Sequence, residues 1–294
     1  MDSHKTDYAS LKNDLMFHMV FTRNKKALKS ILSALLGVPN ESILNVDVLN
    51  PLQYSDSIDT KETILDIKVQ LDKRTFIMVE MQVRKFEHWT DRTLVYACRA
   101  VADQVHKSFD YGKLEKVIQI SIMDYTLFPD HKKFFAKYLL SDDENYIFTD
   151  KLQFLVMDLR QIGAATEAQK EQGLVEWANA FNAKSWDEVE KIQNSGVKEA
   201  VNTMQVIMAN PKERDMIRRR EDALNDWVTQ INAAKREGRE EGREEGREEG
   251  KEEGENLMAS LMALLLEKGL VGEAQRASSD SLFRKELYKQ YSLI

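Results

Sequence analysis

Three side chains in the stretch ILDIKVQLDKRTFIMVEMQV, residues 64–83, have the types and spacing of a cation site: Asp66, Glu80 and Gln82. All three stand at even positions. The odd positions Leu65, Ile67, Val69 and Leu71, then Ile77, Val79, Met81 and Val83, are apolar, which is the period-two pattern of strands burying one face. A three-residue turn at 72–74 sets Leu71 opposite Thr75, and the same register sets Asp66 opposite Glu80. Two like charges directly across a ladder repel by roughly 0.2–1 kcal/mol, so the pairing calls for a shared proton or a cation, and a divalent metal is the simplest choice. Phe76 and Met78 share the face of Glu80, which predicts a half-buried site where a carboxylate is costly unless paired or metal-bound. The competing reading of such alternation is a plain solvated face.

Carboxylates that hold a divalent cation suit hydrolysis of a phosphodiester, because the cation offsets charge on the phosphate oxygens and lowers the pKa of the attacking water. Asp66, Glu80 and the Met81 carbonyl would supply that shell. The Gln82 amide carries no charge and accepts no proton near pH 7, but it can orient a water. Lys68, two residues beyond Asp66 on the same face, either brings a positive charge from the neighbouring strand or runs its stem to solvent. Arg92 and Tyr96 stand four apart on the next helix, placed to reach a phosphate near the metal, with a core position as the other reading of Tyr96. Asp14, before LMFHMVF, reads as the cap or the charge stabiliser of a helix N-terminus. Cys98 reads as a buried small hydrophobe, and His88, His106 and His131 have no ligand spacing.

The elements that must position these groups follow from periodicity. A helix is predicted over 11–36, with Leu28, Ile31, Leu32, Leu35 and Leu36 at helical spacing before Gly37 and Pro39. A strand at 46–49 and a loop at 56–60 precede the hairpin. A helix over 90–107 has Leu94, Ala97, Cys98, Val101 and Val105 on its expected inner side, and buried strands are predicted at 116–123 and 152–159. Residues 160–234 turn polar and helical, with Trp177, Phe181, Trp186 and Trp227 as expected anchors. From 235 the chain reads KREG REEG REEG REEG KEEG, and five of its 12 glycines fall in this repeat.

Composition narrows the class. At 294 residues, 43% hydrophobic and 31% charged, the chain is long enough for one sizeable core and an appendage. Its longest apolar run, LMASLMALLL at 257–266, is half of the roughly 20 residues a membrane helix needs. The first ten residues contain no apolar signal core, so the expectation is a cytoplasmic protein without membrane contact. A single cysteine, Cys98, excludes an internal disulfide and zinc sites built on paired cysteines. The net charge of −7 hides a division: residues 235–255 hold six Lys/Arg against ten Glu, or −4, which leaves −3 for the rest. The body is nearly neutral, and Arg84, Lys85, Arg92, Arg99, Lys107, Lys113 and Lys116 fall just after the hairpin, so charge neither requires nor forbids a nucleic-acid partner.

Five ordered blocks resemble a known family: NDLMFHMVF at 13–21, KETILDIKV at 61–69, VEMQV at 79–83, RTLVYACRAVADQV at 92–105 and KVIQISIMDYTLF at 116–128. Together with the element order αβββαβ and the Asp…Glu-x-Gln pattern, they are similar to the PD-(D/E)XK nucleases, and in wording to the Rpn family of recombination-promoting nucleases. The resemblance implies an α/β fold with a restriction-endonuclease-like αβββαβ core and a mixed central sheet, followed by a helical C-terminal region. It also implies a Mg²⁺-dependent DNA endonuclease, with Mn²⁺ as a substitute, linked to recombination or mobile elements. It assigns Asp66 and Glu80 as metal ligands, Gln82 to the place where most of the superfamily has lysine, and Asp14 to the acidic position of the first helix, as a metal ligand directly or through water. His18 departs from the family's usual lysine. The expected division is a nuclease domain at 1–160, a helical extension at 161–234, the Gly/Glu/Arg repeat at 235–255 and an amphipathic tail at 256–294.

The repeat admits two readings. Glycine inside a helix costs about 1 kcal/mol relative to alanine, and the Glu240–Arg243, Glu244–Arg247 and Glu248–Lys251 pairs return only about 0.2–0.5 kcal/mol each. The segment is thus either a solvated linker or a helix ordered by self-association into a homodimer, with Leu257, Leu261, Leu264 and Leu265 as an apolar seam. The two other classes of function are a nuclease-fold module that binds DNA or protein without cutting it, and a scaffold assembled by the tail.

Overall fold

The computed structural model describes residues 8–49, 67–72, 74–85 and 87–294, and only the backbone of Leu224 and Trp227. Asp66 and the loop expected at 56–60 lie outside the described residues, and so does the Trp227 side chain.

The single helix expected over 11–36 is two, α1 (Asp14–Arg23) and α2 (Lys25–Leu36). Asn24 divides them. Its side-chain oxygen accepts from the N–H groups of Lys26 and Ala27, and this capping competes with continued helix. α2 ends at Gly37, in the left-handed region at φ 67°, as its sequence implies.

Among the described residues six strands follow: β1 (Val46–Val48), β2 (Ile67–Leu71), β3 (Thr75–Gln82), β4 (Lys116–Met123), β5 (Phe135–Ser141) and β6 (Ile147–Asp158), with α3 (Trp89–Ala102) between β3 and β4. They form one mixed sheet in the order β1-β2-β3-β4-β6-β5. β1, β2 and β3 are antiparallel neighbours, β3–β4 and β4–β6 are parallel, and β5 is antiparallel to β6. Leu71 faces Thr75 and Ile67 faces Val79, the register read from the sequence. β5 has no counterpart among the expected strands; it pairs antiparallel with β6 from Met157 back to Ile147, so β6 begins ahead of the expected position 152.

Both faces of the sheet are covered. Ile77, Val79, Ile118, Ile120, Leu155 and Met157 belong to a core shared with α1 and α2. The helices after the sheet are α4 (Glu167–Glu171), α5 (Leu174–Asn182), α6 (Trp186–Glu190), α7 (Ser195–Ala209), α8 (Pro211–Glu267), α9 (Val271–Ser279) and α10 (Ser281–Gln290). α5 and α7 bring Trp177, Phe181, Val201 and Met204 into that same core. On the opposite face Met78, Val117 and Leu152 pack with Ala97 of α3, and Trp89 packs with Met123 and Val156. α3 ends at Ala102, before the exposed Val105, and is rotated from its expected orientation: of the expected inner side Ala97 is buried and Val101 half-buried, but Leu94 and Cys98 are exposed, and the buried line is Trp89, Thr93 and Ala97. The arginine and tyrosine between those buried positions are thereby aimed at the sheet's polar end, and the expectation of a buried thiol is corrected.

The chain divides into two compact units, Met1–Ala223 and Leu224–Ile294. In the first there is no break in packing at residue 160, because α5 and α7 complete the main core. In the second, Leu261 and Leu265 pack with Ala274 and Ala277 of α9 and Leu287 of α10. Two of the four leucines expected to offer a seam to another chain are therefore covered from within. The glycine repeat is helical as part of α8, and a Cβ at Gly238, Gly242, Gly246, Gly250 or Gly254 would meet nothing within 4 Å.

Candidate active site

The site begins at the C-terminal end of β3, where the strand turns from apolar to polar on the face covered by α3. Glu80 is 7% exposed and Gln82 the same, so at this end of β3 the even face is buried and does not fit a plain solvated face. On the neighbouring parallel strand the position beside Glu80 is Ser121. Ser121 and Thr93 of α3 are buried hydroxyls without a hydrogen-bond partner among the described residues.

Arg92, one turn into α3, spans the gap from helix to sheet. Its Nη2 donates to Glu80 Oε1 at 2.7 Å and lies 3.3 Å from Gln82 Oε1. Gln82 Nε2 donates in turn to the Arg84 carbonyl at 2.7 Å, which fixes the amide with its oxygen toward the guanidinium. One cationic nitrogen thus gathers a carboxylate oxygen and an amide oxygen. Burial pushes the Glu80 carboxyl above the ordinary glutamate range, against the pull of the Arg92 charge and of the Trp89 indole, which lies near but outside hydrogen-bond geometry. The Arg92 guanidinium stands 5.9 Å from the centre of the half-buried Tyr96 ring.

A second cluster forms around Asp14. The cap of α1 is Asn13, which accepts from Leu15 and Met16 N–H, so Asp14 is not the cap; it is the acidic residue of the first turn, the charge-stabilising position. Both of its oxygens are taken by Arg220, with Nη2 to Oδ2 at 2.6 Å and Nε to Oδ1 at 3.0 Å. This pair raises the affinity of Arg220 for its proton. Arg84, two residues beyond Gln82, feels the charges of both Asp14 and Arg220, and burial holds its proton less firmly than usual. Arg220 was not legible as a partner, since it lies 206 residues from Asp14 in a segment read only as helical. Arg84 was visible only as one member of a basic run.

Lys68 is exposed and faces Met78 across the β2–β3 ladder, one step along from Glu80. With Phe76, Tyr96, Arg99, Phe109 and Lys113 it lines a groove of about 830 Å³, to which Asp103 and Glu115 also contribute. The structure thus brings Glu80, Gln82, Arg92 and Tyr96 together and sets Lys68 along the groove. It engages Asp14 with arginine.

Among the described residues no three His, Cys, Asp or Glu side chains stand together to hold a metal ion. The oxygens of Glu80 and Gln82 are nevertheless the hard donors that Mg²⁺ or Mn²⁺ prefers, and they already converge on one positive charge, so the residues fit such an ion. No described helix is long and apolar enough to cross a membrane.

No curated protein and no solved structure matches the chain. The family described as PD-(D/E)XK nuclease family transposase matches residues 11–234, a span that holds the whole sheet, its helical cover and every group named above. A mixed α/β fold whose central strand ends in Glu80-x-Gln82, matched over more than half its length, places the chain in the PD-(D/E)XK nuclease family transposases.

Proposed function

We propose that the protein is a Mg²⁺-dependent DNA endonuclease that hydrolyses phosphodiester bonds in recombination or the movement of mobile elements, with Mn²⁺ able to substitute. The observation that carries this reading is the convergence of Glu80 and Gln82 oxygens on one cationic position at the end of the central strand. Asp66 and Glu80 would hold the ion with the Met81 carbonyl; Asp66, next in sequence before Ile67, is included on the sequence register alone. A bound divalent ion would supply charge stabilisation on the phosphate and a water of lowered pKa.

The chain's own groups do the rest. Gln82 orients the water through its amide. Lys68, Tyr96, Arg99 and Lys113 along the groove carry the DNA strand by charge and stacking. Asp14, with both oxygens on Arg220, serves by fixing cations at the strand end, and a direct place among the metal ligands is not part of this reading.

The test is nicking of supercoiled plasmid with Mg²⁺ and with chelator. Wild type is expected to nick only with the metal, and Glu80→Gln to lose about 100-fold in rate, on the order of 3 kcal/mol of barrier, while staying folded. A folded Glu80→Gln at full activity would remove the site. Retention of DNA by a wild type that never cuts would favour a nuclease-fold binding module instead.

A further inference from the structure

We propose that Arg92 is the resident cation of this site, holding Glu80 and Gln82 while no metal is bound and exchanging them for a DNA phosphate when a divalent ion enters. The inference rests on the nuclease reading above and adds to it a coupling between metal and DNA.

The geometry supplies the argument. Glu80 has a side chain only 9% exposed, and a carboxylate so placed needs a counter-charge. Arg92 provides it with the same nitrogen that lies within 3.3 Å of Gln82. A divalent ion held by Glu80, with its water ordered by Gln82, would take the place of the guanidinium, and two cations at one point repel strongly. The metal can therefore enter only as Arg92 leaves. The arginine has somewhere to go: its side chain is 28% exposed, the face of Tyr96 lies beside it, and Arg99 on the same helix lines the adjoining groove. A guanidinium displaced toward that groove presents a planar fork to a phosphate, the ligand it matches best among oxyanions.

Two consequences follow. Without DNA, metal binding is weakened because it must displace Arg92. With DNA, the phosphate takes Arg92, so metal binds more tightly, and by reciprocity metal tightens DNA. This also accounts for an uncharged residue at position 82: the positive charge comes from α3, on a side chain that can change partners.

The experiment measures Ca²⁺ and Mn²⁺ affinity by titration calorimetry, using Ca²⁺ for the arms with a 20-base-pair duplex so that binding is read without turnover. Wild type is expected to bind metal several-fold more tightly with the duplex than without it. Arg92→Gln should bind metal alone about tenfold more tightly than wild type and should show no further gain from DNA. Arg92→Lys, which keeps the charge but not the fork, should fall between them, and it serves if Arg92→Gln fails to fold in a melt run with chelator. Metal affinity in both variants equal to or weaker than wild type would overturn the exchange while leaving the nuclease reading standing. Glu80→Gln is the separate control: if it binds metal as wild type does, the nuclease site itself is wrong and the exchange falls with it.

Discussion

At Glu80 the folded chain keeps a carboxylate where burial raises its pKa above the ordinary value of 4.5. The native state therefore binds that proton more tightly than the unfolded chain. Ionised Glu80 costs stability above the unfolded pKa, and the cost is relieved as pH falls through the window between 4.5 and the raised value. With chelator present, Glu80→Gln is expected to melt a few degrees higher than wild type at neutral pH and to show a flatter dependence just above pH 4.5. A melting curve in the variant that is lower at neutral pH, or as steep as wild type, would mean that the Arg92 pair outweighs burial. Glu80 and Gln82 were legible because strand parity is a local rule and two apolar neighbours on their face signalled cover. Arg92 was legible as a nearby cation, but its partners were not, since helix rotation decides them. The Asp14–Arg220 pair joins opposite ends of the first unit, and no local pattern carries such information.

The elements show the same division between local and tertiary causes. Strand limits at 116–123 and the Leu71–Thr75 turn were readable because apolar alternation and turn residues sit in the sequence. α3 was misoriented because both of its sides carry apolar residues, and the choice between Leu94 and Thr93 depends on what the sheet offers. Asn24 divides the helices through contacts with two of them: its oxygen caps α2, while its Nδ2 donates to the Glu199 carbonyl at 3.1 Å and Thr203 Oγ1 at 2.9 Å on α7, which no local pattern carries. α2 and α7 also meet at Gly196, where an added Cβ would collide with Ser30 Oγ and Cβ and crowd Trp177. Gly196→Ala should cost about 1–3 kcal/mol by overpacking, reduced by up to about 1 kcal/mol of helix propensity. The measurement is denaturant unfolding of Gly196→Ala beside the double variant with Ser30→Gly. The second change is expected to restore most of the loss, and no loss in the single variant would show that the two helices can separate at little cost.

Over the whole chain, packing runs across the expected border at residue 160 for a physical reason. Trp177, Phe181, Val201 and Met204 are the apolar stripes of α5 and α7, and a sheet covered only by α1 and α2 would leave them and its own face to water. The helices read as an extension without chemistry are the cover of the nuclease fold, and Arg220, on α8 within that same extension, reaches Asp14. Every described group of the site lies in the first unit, Met1–Ala223, so a chain ending at Ala234 is expected to keep Mg²⁺-dependent nicking within about a factor of 2–3 of full length, under 1 kcal/mol of barrier. Self-association is where the tail would matter. Leu261 and Leu265 are spent on α9 and α10, which leaves the bare glycines of α8 as the surface on which a second helix backbone could lie close. On the homodimer reading, truncation should lower the mass seen by light scattering from two protomers to one and shift the plasmid product from linear to nicked, because two linked sites cut both strands in one encounter. An unchanged mass and an unchanged ratio would make residues 235–255 a charged helical spacer and remove the dimer, while loss of nicking itself would show that the second unit contributes to the chemistry.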